Sequence, residues 1–222
     1  MLYAAMRSVI APTARLVYRP YVEGAQHVPR HGAVILASNH LSFIDSVVIP
    51  IVAPRPVIFL AKAEYFTGTG ITGAACRAWF TAIGSIPIER GDNRAALASL
   101  DAALGVLRKG EAFGIYPEGT RSRDGRLYRG RTGVGWLALT AKVPVVPVAL
   151  IGTDKIQPVG SRMPRLHRIT VRFGEPLVFD GTTTSPAPAK ARREATDKIM
   201  AAIAALSPQE LAAVYNESPP VG

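Results

Sequence analysis

The sequence predicts an α/β fold in which helices flank a largely parallel central sheet. Short runs of branched apolar residues alternate along the chain with longer segments of helical periodicity, the pattern that βαβ units produce. With 222 residues, 48% of them hydrophobic, the chain can form one domain with a substantial core. We divide it into a short basic amphipathic segment (1–21), an enzyme-sized main domain (22–206) and a C-terminal tail (207–222) that we expect to be loose.

The first 21 residues carry apolar side chains at helical spacing, interrupted by Pro12 and mixed with arginines. No run reaches 18 uninterrupted apolar residues, so we predict no transmembrane span. The cleavage site of a signal peptide is also lacking. Two interpretations stay open: the segment lies in the membrane interface, or it docks on the domain as a terminal helix.

After this segment we expect a short edge strand and turn near 22–30, followed by alternating strands and helices. Short runs of branched apolar residues predict the strands, and apolar stripes that end near glycine or proline predict the helices. The predicted strands cover 33–38, 57–61, 84–90, 112–116, 145–151 and 169–173, the last of them at a sheet edge. The predicted helices cover 42–53, 71–80, 93–109, 132–142 and 189–206. A linker rich in threonine and proline, 181–188, precedes the last helix.

The charge balance indicates an anionic partner. Lys and Arg number 26 against 16 Asp and Glu, which gives a net charge of +10. A membrane surface or a phosphorylated substrate fits better than nucleic acid, because the basic residues are dispersed and no series of stacking aromatic residues accompanies them. The single cysteine, Cys76, excludes an internal disulfide and a cysteine metal cluster, and its helical surroundings favour a small core residue. We predict neither a metal site nor a cofactor.

His40 and Asp45 are the candidate catalytic pair. The strand over 33–38 runs into His40, and Ser42, with an acid three residues later, predicts a helix N-cap. His40 then lies in the strand-to-helix turn and Asp45 in the first helical turn, where the chain can fold back and bring the carboxylate to the ring. An acid beside an imidazole fixes its tautomer and supports general-base catalysis. Taken alone, the spacing is more typical of a structural histidine beside a helix cap.

The residues that follow other predicted strands form a second group of candidates. The carboxyl ends of parallel strands meet at one edge of the sheet, where such sheets bind ligands. Lys62, Arg90 and the stretch Glu118-Gly119-Thr120-Arg121 each follow a strand, and the last opens an arginine-rich loop over 121–131. Several cations and a glycine-containing turn at one edge favour a phosphate-bearing substrate.

The chain contains four motif stretches, and all of these candidates except Lys62 lie in the first three. The stretches are Asn39-His40-Leu41-Ser42-Phe43-Ile44-Asp45, Gly84-Ser85-Ile86-Pro87-Ile88-Glu89-Arg90, Phe113-Gly114-Ile115-Tyr116-Pro117-Glu118-Gly119-Thr120-Arg121-Ser122 and Val145-Val146-Pro147-Val148-Ala149. In order and spacing they resemble the four motif blocks of the glycerolipid acyltransferases, of which the first reads NHxSxxD and the third FPEGTRS. The resemblance covers about residues 22–180 and is nearest to the members that act on 1-acyl-glycerol 3-phosphate. Tyr116 stands where that family usually has Phe.

The resemblance implies a layered acyltransferase fold and a reaction of phospholipid biosynthesis. His40 would take the proton from the free hydroxyl of lysophosphatidic acid while Asp45 orients its ring. The hydroxyl oxygen would then attack the thioester of acyl-CoA or acyl carrier protein directly, giving phosphatidic acid. The enzyme would be peripheral on the cytoplasmic face of an anionic membrane surface.

The resemblance also implies roles for the remaining candidates. Five residues correspond to acceptor-binding positions of the family: Arg90, Glu118, Gly119, Thr120 and Arg121. Lys62 adds a cation near the reacting centre. Backbone N–H groups of Gly84, Ser85 and Ile86 are candidates for stabilising the oxyanion.

Three alternatives remain at this point. In the first, the acceptor is another lysophospholipid or glycerol 3-phosphate, so that the reaction is the same and only the acceptor differs. In the second, Ser42 is an acylated nucleophile with His40 as its base. The predicted position of Ser42 as a helix cap disfavours this alternative. A non-catalytic lipid-binding protein uses the same basic edge, which the intact His40–Asp45 pair disfavours.

Overall fold

The computed structural model of the chain describes residues 12–88, 93–158, 161, 164–179 and 187–217. Nine strands occur in these residues: β1 (Tyr21–Glu23), β2 (Val34–Ser38), β3 (Val57–Lys62), β4 (Ile86–Ile88), β5 (Ala112–Ile115), β6 (Leu127–Tyr128), β7 (Val145–Ile151), β8 (Thr170–Phe173) and β9 (Leu211–Ala212). The helices of the same residues are α1 (12–18), α2 (Asp45–Val52), α3 (Glu64–Thr67), α4 (Gly70–Ala82), α5 (Asn93–Arg108), α6 (Gly133–Ala141), α7 (Thr153–Ile156) and α8 (Ala189–Leu206). A 3₁₀ turn, Ala25–His27, follows β1.

Seven strands form the central sheet, in the order β1-β8-β7-β2-β5-β3-β4. From β7 to β4 all neighbours are parallel, whereas β7 and β8 are antiparallel. The predicted α/β class with a largely parallel sheet is confirmed. The strand predicted over 169–173 is not an edge strand, because β1 pairs with β8 and covers it.

The core lies on both faces of this sheet. Along β2, Val34 and Leu36 pack into a cluster with α2, while Ile35 and Ala37 pack on the opposite face with α5, α6 and α8. A strand that is buried on both faces needs apolar residues at every position. This explains why β2 reads as a continuous apolar run.

The described part of the N-terminal segment is docked on the domain. Ala14 and Tyr18 of α1 pack against the core, and Arg15 Nη2 donates to the Ile51 carbonyl at 3.0 Å. Leu16 and Val17 are exposed on the other side of the helix. Residues 1–11 of this segment lie outside the described residues. No helix in the described ranges combines the length and hydrophobicity that a membrane span requires.

The C-terminal residues differ from the loose tail that the sequence predicts. Residues 207–217 dock on the domain, and β9 pairs in parallel with β6, a strand within the arginine-rich loop. The prediction fails because the segment has little apolar periodicity, and its contacts are hydrogen bonds to residues far away in sequence. Of the predicted linker, 181–186 lie outside the described residues.

Cys76 lies on α4 beside the small cluster of Ala61, Phe80 and Ile83. It is half-buried, and burial raises the pKa of its thiol. Its packing agrees with the predicted small core residue.

Candidate active site

His40 and Asp45 form a direct hydrogen bond at the carboxyl end of β2. His40 Nδ1 lies 2.9 Å from Asp45 Oδ2, and the same oxygen accepts the backbone N–H groups of Leu41 at 2.7 Å and Ser42 at 2.8 Å. A carboxylate only accepts hydrogen bonds, so Nδ1 carries the hydrogen of this contact, and in the neutral ring the lone pair is then on Nε2. The Asp45 side chain is 0% exposed and that of His40 12%. The ring is therefore held by a buried acid while one edge reaches the surface, as a general base requires.

The turn that brings the two side chains together differs in detail from the predicted capping box. Helix α2 begins at Asp45, three residues later than the predicted start at Ser42, and its N-cap residue is Ile44, which makes no side-chain cap. Ser42 instead donates its hydroxyl hydrogen to the Gln157 carbonyl at 2.9 Å. Asp45 itself closes the turn by accepting the N–H groups of Leu41 and Ser42. The buried Ser42 thus links this turn to the residue that follows α7, and its hydroxyl donates to that residue and not to His40.

Two stacked aromatic rings support one face of the imidazole. The His40 ring lies parallel to the Tyr116 ring, with 3.9 Å between centroids and 9° between planes, and Tyr116 in turn stacks on Phe59 at 5.4 Å. The Tyr116 hydroxyl lies 3.1 Å from Ser46 Oγ on α2. Burial, with the nearby Asp45 charge second, raises the pKa of Tyr116 well above its usual range. The uncharged phenol therefore connects the end of β5 to the helix that carries Asp45.

Glu118 is a buried bridge within the site, where the sequence predicted a substrate contact. It is 0% exposed; Oε1 accepts the His40 backbone N–H at 3.0 Å and Oε2 accepts the Tyr128 N–H at 2.9 Å. Burial raises its pKa to about 7, the two N–H donors oppose this, and the charges of Asp45 and Asp124 add to it. Because both oxygens are used inside the protein, this residue positions the His40 turn against the arginine-rich loop.

The arginine-rich loop starts beside this bridge. Gly119 takes a positive φ of 80°, which lets the chain turn away from β5, and the Arg131 side chain lies against it. Gly119 is exposed and Thr120 half-buried. The Ser122 N–H donates to the His40 carbonyl at 2.7 Å, so the start of the loop is fixed directly to the turn that carries His40.

The arginines of this loop fall into two groups. Arg126 pairs with Asp124 at 2.7 Å, and Arg129 and Arg131 lie over the Tyr215 ring. Arg121 and Arg123 are exposed, and their guanidinium groups have no partner in the part of the chain that the structure describes. The second group is therefore free to bind a phosphate, for which a guanidinium has the matching geometry.

Lys62 ends β3 at the same edge of the sheet. Since β5 separates β3 from β2, Lys62 lies about 10 Å from the end of β2. It is half-buried, and its ammonium group has no hydrogen-bond or ion-pair partner within the described ranges. Arg90, the other predicted cation, lies outside the described residues.

The predicted oxyanion donors are largely committed elsewhere. The Gly84 N–H donates to the Thr81 carbonyl at 3.1 Å and the Ser85 N–H to the Phe80 carbonyl at 2.9 Å, because both close the end of α4. Ile86 is paired with Leu60 in the sheet. The Gly84 and Ser85 amides thus serve the helix terminus, contrary to the expectation that they face a substrate oxygen.

The sequence missed two contributors to the site. Tyr116 is notable in the sequence only as a replacement of Phe, and its stacking on His40 depends on the pairing of β2 with β5. Asn39, which is only a position of the first motif in the sequence, binds the Leu150 backbone on β7 through its side chain and also Gln209, 170 residues away. Within the described residues no group of His, Cys, Asp and Glu side chains is arranged to hold a metal ion.

Comparison with known proteins links this geometry to a family. The family model described as Acyltransferase matches residues 19–151. The chloroplastic 1-acyl-sn-glycerol-3-phosphate acyltransferase of Arabidopsis thaliana is 33% identical over 147 residues, which cover 65% of this chain and 39% of that protein. The human 1-acyl-sn-glycerol-3-phosphate acyltransferase alpha is 29% identical over 175 residues, which cover 79% of this chain and 60% of that one. The matched region thus spans about half the length of these relatives.

A solved structure has the same fold. The 1-acyl-sn-glycerophosphate acyltransferase of Thermotoga maritima matches with a TM-score of 0.65 at 20% identity, over 93% of this chain and 84% of that chain. At this identity the likeness establishes the architecture, and it agrees with the layered α/β fold that the sequence predicts.

Proposed function

The chain belongs to the Acyltransferase family, and we propose that it transfers a fatty acyl group from a thioester donor to the free hydroxyl of 1-acyl-sn-glycerol 3-phosphate, giving phosphatidic acid. The observation that carries this proposal is the 2.9 Å hydrogen bond between His40 Nδ1 and the buried Asp45. The same sheet edge presents cations that have no partner among the described residues. Relatives that carry the name of this activity support the choice of acceptor.

His40 is the general base in this mechanism. Its Nε2 takes the proton of the acceptor hydroxyl as the hydroxyl oxygen attacks the thioester carbonyl carbon, and Asp45 stabilises the imidazolium that forms. The carbon–sulfur bond then breaks, and the imidazolium returns the proton to the departing thiolate. The new ester is the acylated acceptor, and the free thiol leaves with the donor.

The thioester is activated enough to react without a covalent enzyme intermediate. Acylation of Ser42 is disfavoured because the residue is only 2% exposed and its hydroxyl donates to the Gln157 carbonyl. The donor is acyl-CoA or acyl carrier protein, since either presents the same thioester to the same base.

Cations at the sheet edge bind the acceptor phosphate. Arg121 is the main candidate, because its guanidinium lacks a protein partner in the described chain and its backbone adjoins Ser122, which donates to His40. Arg123 and Lys62 add positive charge, and Arg90 is proposed from the motif alone. A phosphate carrying two negative charges gains most from such a group of cations.

The enzyme works at a membrane surface, peripherally and on the cytoplasmic face. A lysophospholipid acceptor resides in the bilayer, and a net charge of +10 attracts anionic headgroups. The exposed Leu16 and Val17 on α1 supply apolar contact beside Arg19.

An acyl-transfer assay with two histidine variants tests the proposal. We expect transfer from at least one thioester donor to 1-acyl-sn-glycerol 3-phosphate, and a loss of about 10³-fold or more in kcat for His40→Ala, because the proton acceptor is removed. His31→Ala is the matched control, since His31 is exposed in the loop before β2 and should leave kcat unchanged.

The same assay separates the alternatives. The panel includes acyl-CoA and acyl carrier protein as donors, and other lysophospholipids and glycerol 3-phosphate as acceptors. A strong preference for another acceptor would replace the substrate while keeping the base. Near-normal turnover by His40→Ala would reject the mechanism, and vesicle binding without any transfer would favour the lipid-binding alternative.

A further inference from the structure

We propose that residues 207–217, here called the C-terminal strap, position the arginine-rich loop and the catalytic turn for acceptor binding. The strap lies beyond residues 19–151, the part of the chain that the family model matches. This inference rests on the proposed function for its kinetic test, and on the hydrogen-bond network for its structural test.

The strap holds the arginine-rich loop along its length. The Leu127 N–H donates to the Glu210 carbonyl at 2.8 Å and the Arg129 N–H to the Val214 carbonyl at 3.0 Å, which joins β6 to the strap. Further along, Asn216 Nδ2 donates to the Arg121 carbonyl at 3.0 Å. The first residue of the loop and its middle are therefore both fixed by the strap.

Gln209 connects the strap to the catalytic turn as well. Its Oε1 accepts a hydrogen bond from Asn39 Nδ2 at 2.6 Å, and its Nε2 donates to the Gly125 carbonyl at 2.8 Å. Asn39 directly precedes His40 and is fully buried. One strap side chain thus bridges the residue before the base and the tip of the loop, in parallel with the bridge that Glu118 makes inside the site.

The strap is itself anchored on the body of the domain. Arg193 of α8 donates to the Tyr215 hydroxyl at 3.1 Å and to the Gly130 carbonyl at 2.8 Å. Arg131 donates to the Asn216 carbonyl at 3.2 Å, and Asn216 is buried. Helix α8 therefore fixes both the strap and the end of the loop, which makes the strap a firm support.

The consequence concerns Arg121 above all. In the described chain its guanidinium has no protein partner, so nothing holds the side chain except its own backbone. That backbone is held by Asn216 on one side and by the Ser122–His40 hydrogen bond on the other. Without the strap the cation can drift relative to His40, and binding energy is lost when a charged group is no longer pre-positioned.

Steady-state kinetics of Asn216→Ala tests this inference. The substitution removes one donor to Arg121 and keeps the backbone carbonyl that Arg131 uses. We expect the acceptor KM to rise about three- to tenfold, with kcat and the donor KM within about twofold of wild type. Val214→Ala is the matched control, since this residue is 60% exposed and the substitution retains its carbonyl bond; it should leave all three constants unchanged.

Two truncations extend the test to the whole strap. A chain ending at Glu217 keeps the strap and should behave as wild type, whereas one ending at Leu206 should raise the acceptor KM about tenfold or more. Hydrogen exchange is read on the same proteins, where the amides of Ser122, Leu127 and Arg129 should lose protection in the shorter chain while those of β2 and β7 keep it.

The outcomes separate this inference from the proposed function. An inactive wild-type chain with the expected exchange pattern would reject the function and retain the strap's positioning role. An unchanged acceptor KM in Asn216→Ala, or loop amides as well protected without the strap as with it, would overturn the inference. If the shorter chain fails to fold, Asn216→Ala alone decides.

Discussion

At the scale of single residues, Glu118 makes the stability of the fold depend on pH. It is fully buried, with the backbone N–H groups of His40 and Tyr128 as its two partners. Burial is the largest effect on its pKa and raises it from an ordinary 4.5 to about 7. Between these two values the unfolded carboxyl has lost its proton while the folded one keeps it. The native state therefore binds the extra proton, and stability must fall as pH rises through this window.

We expect this slope to disappear in Glu118→Gln, which cannot titrate. Relative to that variant, wild type should lose up to about 3 kcal/mol of unfolding free energy between pH 4.5 and 7, and little more above pH 7. Urea denaturation at pH 5, 6, 7 and 8 measures the difference. If wild type and variant show parallel curves, or if wild type becomes relatively more stable as pH rises, the raised pKa of Glu118 is wrong.

Arg121 belongs to the same scale, but it acts on binding rather than stability. Its exposed guanidinium is proposed to hold the acceptor phosphate, so Arg121→Ala should raise the acceptor KM about tenfold or more with a smaller change in kcat. Arg108→Ala makes the same change of charge at the exposed end of α5, near the amino end of β5, and should leave the acceptor KM unchanged. Equal KM effects in both variants would indicate a general charge effect and remove the assigned role.

At the scale of elements, β3 and β5 together support the His40 ring. Gly114 on β5 lies against the Phe59 ring on β3, and a Cβ at this position would overlap that ring. Phe59 stacks on Tyr116, and Tyr116 stacks on His40. Because Gly114 has no side chain, an aromatic series can run from the core to His40.

Two glycine-to-alanine substitutions should therefore have opposite effects. Gly114→Ala should destabilise the protein by about 1–3 kcal/mol through overpacking and lower kcat, because the displaced Phe59 disturbs the ring beneath His40. Gly105→Ala, inside α5 with open space around the added Cβ, should stabilise by about 0.5–1 kcal/mol and leave kcat unchanged. Thermal unfolding and kcat are measured for both.

A second substitution checks the cause. In the background of Gly114→Ala, Phe59→Leu makes room for the added methyl group, so part of the lost stability should return. A Gly114→Ala variant as stable and active as wild type would show that the Phe59 contact does not position the site.

The sequence predicts the elements and contacts that depend on neighbouring residues. Helix α8 covers Ala189–Leu206 as its apolar stripe predicts, and Asp45 meets His40 because the pair lies within one short turn, where local chemistry decides. Contacts between distant parts of the chain were missed. Asn216 meets Arg121 across 95 residues of sequence, and no local pattern in 207–217 indicates that partner. The inward orientation of Glu118 was missed for the same reason, since it depends on the fold of the loop that follows.

At the scale of the whole molecule, the two edges of the parallel sheet have different tasks. The carboxyl edge carries His40, Lys62 and the arginine-rich loop. At the amino edge, Arg55 lies before β3 and is only 9% exposed; it donates to the carbonyls of Gly32 at 2.5 Å, Pro29 at 3.2 Å and Gly110 at 3.0 Å. These carbonyls precede β2 and β5, so one guanidinium ties the entries of three adjacent strands.

Arg55→Ala should consequently weaken the fold without altering the chemistry. It leaves up to three carbonyl groups without their donor, and we expect a loss of about 2–4 kcal/mol of unfolding free energy. Below the transition temperature kcat and both KM values should equal those of wild type, because the substitution lies at the edge opposite His40. Arg30→Ala is the control, an exposed arginine at the same edge whose removal should change stability by less than about 0.5 kcal/mol. Denaturant unfolding and the acyl-transfer assay on the same preparations decide between the outcomes. A fall in kcat of the folded Arg55→Ala protein would mean that the two edges are coupled. The expected result is a less stable protein with unchanged kinetics, in contrast to the loss of turnover expected for His40→Ala.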